Sequence, residues 1–164
     1  MSKTVPSQTA SIPDSNPLRL GDFLPFRLSV LSNTISSAIA VTYENRFGLN
    51  IWQWRCMAVL GETPGLTGRE LTARTAMDKV AVSRAVSGLE AMGHVHRKAD
   101  TADRRASRLS LTPSGQRIYR EIVPLAQAYE ARLLEDFSPE DLRALHELME
   151  KLAKASAPDD TPLW

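Results

Sequence analysis

DKVAVSRAVSGLEAMGHVHRKADTADRRASRLSLTPSG, Asp78 to Gly115, carries three signals in a fixed order. Asp78 is an N-cap residue type, and Val82, Val86 and Leu89 recur behind it at i, i+4 and i+7. That spacing is the apolar stripe of an amphipathic helix, which Gly93 ends. Lys79, Ser83, Arg84 and Ser87 lie on the other side, a short polar and basic face without an acid. Two strand-like runs follow, at about residues 94–99 and 106–111, and the second alternates Arg108, Leu109, Ser110 and Leu111. Between them sits a charged turn with Asp103, Arg104 and Arg105. Thr112-Pro113 then supplies an N-cap and a proline at the first helical position. A charged turn is ordinarily a solvated hairpin tip, so its neighbours decide its meaning.

Upstream, Thr67 and Glu70 form a capping box that opens a short helix through Leu71 and Ala73. Asn50 and Gln53 do the same for a helix containing Trp54, Met57 and Leu60, and GETPG makes a loop between the two. Further back, Asp22 is expected to cap a helix bearing Leu24, Leu28, Leu31, Ile35 and Ile39, with Pro25 in its first turn and Gly48 at its stop. Downstream, Ile118, Ile122, Leu125, Tyr129 and Leu133 stripe a long helix, where Pro124 predicts a kink or break near residues 120–124. Ser138-Pro139 opens a last helix with Leu142, Leu145, Met149 and Leu152.

Helix, turn, helix and ribbon compose a winged helix-turn-helix. The expected fold is mainly α with a small two- or three-stranded β wing and a helical dimerisation region. The expected division is a flexible arm over 1–20, dimerisation helices over 22–48 and 113–156, a DNA-binding module over 50–112 and a tail over 157–164. In this layout the second helix enters the major groove, with Lys79, Ser83 and Arg84 in its first turn and a half. The ribbon tip reaches the adjacent minor groove, whose negative potential attracts arginine. Asp103 can hold an arginine two residues on in an extended pose and reduce the entropy lost on docking.

Charge supports this locally rather than globally. The net charge is +1, but residues 69–108 hold nine Lys and Arg against five Asp and Glu. Such a basic middle is the footprint that phosphate contacts require. One cysteine, Cys56, excludes an intramolecular disulfide and a cysteine-rich metal framework. No uninterrupted apolar run approaches membrane length, and the polar start MSKTVPSQTASIPDSNP has no signal-peptide pattern, so a cytoplasmic protein without membrane contact is expected. No phosphate-cradling glycine loop, G-x-S-x-G elbow or paired carboxylates with histidine occur, and no catalytic residue, cofactor or metal is expected. His94 and His96 share a strand face without a third ligand at metal-binding spacing.

The run Glu70 to Gly115 resembles the core signature of the MarR (multiple-antibiotic-resistance regulator) family. The matching parts are Val82-Ser83-Arg84, the L-x-x-x-G of Leu89 to Gly93, the D-x-R of Asp103 to Arg105 and the L-x-L-T-x-x-G of Leu109 to Gly115. FGLNIWQWRCMAVLGE resembles the family's second helix, so the likeness covers about residues 23–154. The resemblance implies a homodimer with interlocked first, fifth and sixth helices, bound to a pseudo-palindromic double-stranded operator. It implies release by a small effector, often an aromatic or phenolic acid in this family. It places Ser83 and Arg84 at major-groove or phosphate contacts and Arg105 in the minor groove, oriented by Asp103, with Arg104 beside it.

The residues argue for a dimer independently, because apolar stripes at opposite ends of the chain flank a module of limited core. For the effector, Arg27 and Asn33 interrupt the apolar first helix, and Trp52 and Trp54 can line an aromatic pocket; salt bridging for Arg27 and core packing for Trp54 are the plainer uses. Two other readings stand beside the ligand-responsive repressor: a winged protein-interaction module without DNA binding, and a redox sensor built on Cys56.

Overall fold

The computed structural model describes residues 17–99 and 107–156. The arm through residue 16, the tail from residue 157 and the turn with Asp103, Arg104 and Arg105 lie outside the described residues. A single 3-10 turn, Leu20–Asp22, precedes α1 (Leu24–Phe47). There follow α2 (Ile51–Glu62), β1 (Leu66–Thr67), α3 (Gly68–Thr75), α4 (Lys79–Ala91), β2 (Val95–Ala99), β3 (Ser107–Leu111), α5 (Pro113–Leu133) and α6 (Pro139–Ser156). The chain divides into two compact units between Ile35 and Ser36, inside α1.

Five helix starts are fixed by local hydrogen bonds, that of α6 by Ser138 Oγ accepting from Asp141 N–H at 3.1 Å. Asn50 and Gln53 bond reciprocally at α2, each at 2.9 Å, and Thr67 and Glu70 do so at α3. Asp78 Oδ1 accepts from the N–H groups of Val80 and Ala81 at 2.8 Å, and Thr112 Oγ1 accepts from Gly115 N–H at 3.1 Å. Each satisfies donors that the first turn leaves without an intrahelical partner. At α1 the expectation fails. Asp22 lies in the 3-10 turn, and the carbonyl of Phe23 accepts the first helical N–H, from Arg27, so Phe23 is the cap position. At α5 the helix runs through Pro124 without a break. Pro124 and Arg120 are both exposed, so water can satisfy the carbonyl that proline cannot serve.

The 36–156 unit owns the core. Tyr43, Leu49, Cys56, Met57, Leu60, Leu71, Val82, Val86, Leu89, Leu109 and Ile122 are buried together. The α4 stripe faces inward as its spacing requires, with Ala85 completing it. β3 is the central strand, antiparallel to β1 on one side and β2 on the other. Its Leu109 and Leu111 point to the core, as its period-2 pattern predicts. Thr75, the one buried polar residue among those described, donates its hydroxyl to the Leu71 carbonyl at 2.9 Å.

Two apolar surfaces are left exposed among the described residues. In the 17–35 segment Leu24, Phe26, Leu28, Val30 and Leu31 are exposed. In α6 no residue is buried, and Leu145, Leu148, Met149 and Leu152 stand in solvent. By length and composition α1 is also apolar enough to cross a membrane, although serines, Asn33 and Thr34 interrupt the run.

Between α3 and α4 the chain turns at Ala76, φ 50 and ψ 37, the only non-glycine residue at positive φ among those described. An L-residue pays roughly 1–2 kcal/mol there, whereas glycine does not. Ala76→Gly is therefore expected to stabilise the fold by about 1 kcal/mol, part of the relief being lost to the freer unfolded chain. A urea midpoint that rises with an unchanged slope confirms it; a lower midpoint contradicts it.

Candidate nucleic-acid interface

The turn at Ala76 aims α4, and the buried stripe then decides which face α4 shows. With Val82, Ala85, Val86 and Leu89 held inward, Lys79, Ser83, Arg84 and Ser87 are exposed together. No acid interrupts this face. Asp78, the cap of the helix, is engaged with the N–H groups of Val80 and Ala81.

Beside this face lies a cleft of about 400 Å³. Val82, Val86 and Leu109 form its floor, and Arg69, Lys79, Ser83 and Arg97 line it as well. Arg97 Nε donates to Glu90 Oε1 at 2.7 Å, an ion pair that ties β2 to α4. Both side chains are partly exposed, so the pair fixes position more than it adds stability. Glu70, at the edge of α3, is held below the usual carboxylate range by hydrogen bonds from Thr67 and by the nearby Arg108 and Arg74 charges. It stays ionised and serves the cap. The surface over α3, α4 and β2 therefore offers cations over an apolar floor.

Arg108 has a different job from the one its neighbours in the turn suggest. Its Nη1 donates to the Gly65 carbonyl at 2.8 Å, bracing the loop before β1. Position 108 thus belongs to the three-stranded part of the sheet, where it pairs with Thr67 and Lys98.

Of the four candidate effector residues, Arg27 and Asn33 lie in the 17–35 segment and Trp52 and Trp54 in α2. Arg27 lies in an open groove of about 300 Å³ with Phe26, Val30, Leu31 and Thr34, all within the 17–35 segment. Asn33 is exposed and does not line that groove. Trp54 is half-buried, its ring 5.0 Å from Tyr43 and 6.2 Å from Tyr119, centroid to centroid, so packing is its use. Burial, and secondarily the neighbouring Tyr129, push the Tyr43 phenol up to about 12. Trp52 is exposed and carries the guanidinium of Arg55 5.6 Å from its ring centroid. Arg55, which the sequence reading passed over, also donates to Ser36 Oγ at 3.3 Å and makes no ion pair among the described residues. The i, i+3 spacing of Trp52 and Arg55 was the available signal.

Cys56 is fully buried, and its burial pushes the thiol up to about 11. A neutral thiol sealed in a core is a packing group rather than an oxidant target. His94 Nδ1 lies 3.3 Å from Ser114 Oγ, at the junction of β2 and α5. Among the described residues no three His, Cys, Asp or Glu side chains are grouped to hold a metal ion.

The sequence profile of the MarR family matches residues 47–106, the segment holding α2 through β2. A helix-turn-helix transcriptional repressor of Mycobacterium tuberculosis strain H37Rv is 26% identical over 131 residues, 79% of this chain and 91% of that protein. The transcriptional regulator BilQ of Clostridium symbiosum is 28% identical over 95 residues, 58% of this chain and 66% of its own length. Among solved structures, a MarR-family regulator from Silicibacter pomeroyi aligns with a TM-score of 0.72 at 25% identity, covering 87% of this chain and 96% of that one. A MarR/EmrR-family regulator from Acinetobacter sp. ADP1 aligns with a TM-score of 0.78 at 25% identity, covering 84% and 97%.

Proposed function

We propose that this chain is a repressor of the MarR family of winged-helix transcriptional regulators, a reading supported by the profile match over residues 47–106 and by the aligned solved structures, and that it binds a pseudo-palindromic operator as a homodimer. The observation that carries the reading is the acid-free exposed face of α4, with Lys79, Ser83, Arg84 and Ser87 held outward by a buried stripe. A helix so presented fits the major groove, where serine and arginine meet base edges and lysine meets phosphate. The turn beyond β2 is to supply Arg105 to the minor groove, with Asp103 orienting it and Arg104 beside it. Exposed apolar residues on α6 and in the first half of α1 support a two-fold partner, and two α4 helices then meet a two-fold operator. The cytoplasm, with the chromosome, is the place of action.

Release by a small acid-type effector, aromatic or phenolic, completes the proposal. Arg27 in its apolar groove and Arg55 above Trp52 are the cations that support it, since a guanidinium pairs with a carboxylate through two parallel bonds.

Arg84→Ala tests the operator reading. Affinity for the operator is expected to fall by about 1–3 kcal/mol, the size of one good base or phosphate contact, with the fold unchanged because Arg84 is off the buried stripe. Gel-shift titration at stated salt, paired with circular dichroism, reads both. Unchanged affinity in a folded variant would remove α4 from the interface.

A further inference from the structure

The outward stripe of α4 is not wholly polar. Val80, Ser83, Arg84 and Ser87 stand at i, i+3, i+4 and i+7, and all are exposed. At the end of the stripe that would lead into the groove is an isopropyl group, Val80, 59% exposed. Single apolar residues are ordinary on a protein surface, so exposure alone means little. Position sets Val80 apart. It lies one turn before Arg84, on the face that the core stripe turns away from the protein. A β-branched residue is also a poorer helix former than alanine, so helix stability gives no reason for valine there. Its own N–H and that of Ala81 are both taken by Asp78 Oδ1 at 2.8 Å. At residue 80, therefore, only the two methyl groups remain to touch a ligand.

The major groove has one apolar feature that distinguishes bases, the C5 methyl of thymine. Resting on the operator-binding reading, we propose that Val80 reads a thymine methyl and that Arg84 holds a guanine close to it. Four residues advance about 6 Å along a helix, and base pairs stack about 3.4 Å apart. The guanine accordingly lies within about two base pairs of the thymine. Arg84 supplies a fork of donors for guanine O6 and N7, and Val80 supplies the dry contact. Together they make a two-position reading head in each half-site, with thymine specified by shape and apolarity rather than by hydrogen bonds.

Deoxyuridine is the probe, because it removes that methyl and alters nothing else in the base pair's donor and acceptor pattern. Operator duplexes are selected from a random library by the full-length protein, and each thymine is then exchanged singly for deoxyuridine. The wild-type protein is expected to lose about fourfold in affinity for an exchange in one half-site, the worth of one buried methyl, and about fifteenfold when both half-sites are exchanged. Val80→Ala should bind the thymine and uracil duplexes alike, and Val80→Ile should restore the preference, which a general effect on folding would not do. A thymine preference that survives in Val80→Ala, or a wild-type operator indifferent to every exchange, overturns the assignment and leaves operator binding standing. A library that yields no specific duplex overturns both.

Discussion

Replacing Leu145 and Met149 together with glutamate is expected to abolish the folded dimer. Both side chains are partly exposed in the isolated protomer, at 39% and 46%, and they share the α6 stripe with Leu148 and Leu152. Among the described residues nothing buries this stripe, since α6 has no buried residue. If a second copy covers it, each new carboxylate enters an apolar contact without a partner, at a cost of roughly several kcal/mol per ion. Four such charges per dimer exceed what a typical interface can offset. The separated protomers would still expose Leu24, Phe26, Leu28 and Leu31, so aggregation or unfolding should follow rather than a stable monomer. Light scattering with a thermal melt reads the outcome. A folded dimer at wild-type concentrations would show that α6 is not in the interface, and a well-folded monomer would show that the dimer is optional.

Gly115→Val should destabilise the fold by about 3 kcal/mol, the upper end of overpacking costs, because backbone rather than side chain stands in the way. Gly115 is buried in the first turn of α5, and a Cβ there would collide with the carbonyl of His94. That carbonyl accepts the Thr112 N–H at 2.9 Å, and Thr112 Oγ1 donates in turn to the Gly93 carbonyl at 2.7 Å. Shifting either strand end to make room breaks these bonds and moves the end of α4 against the start of α5. Equilibrium urea unfolding measures the loss. A change below about 0.5 kcal/mol, the usual size for an unconstrained surface site, would mean that the start of α5 can slide off His94.

The two glycines that close the family-like motif show the boundary between sequence and structure. Gly93 is legible from its position alone: it follows an amphipathic helix, and its φ of 72 is the left-handed value such an ending requires. Gly115 carries no such signal, because its backbone is ordinarily helical and its need for a bare Cα comes from a carbonyl 21 positions earlier. The capping boxes at Asn50 and Thr67 and the caps at Asp78 and Thr112 were readable for the first reason. Each is a bond spanning two or three residues, so spacing is sufficient to specify it. Asp22 misled because a good capping side chain does not fix where a helix begins. One 3-10 turn displaced the start to Phe23–Leu24.

Candidate interface residues divide the same way. The exposure of Lys79, Ser83, Arg84 and Ser87 was determined by the sequence, since a period of 3.6 and a buried Val82-Val86-Leu89 stripe leave them no other direction. Periodicity likewise settled the alternation of β3. Tertiary structure alone decided that Arg69 and Arg97 join Lys79 and Ser83 around one cleft, that Arg108 braces Gly65 instead of extending the ribbon tip, and that Arg55 lies over Trp52 beside Ser36. A long cationic side chain goes to whichever acceptor, ring or acid the folded chain brings within reach. Local spacing sets the direction in which a residue leaves its helix or strand, and the packing of distant segments sets what it meets there.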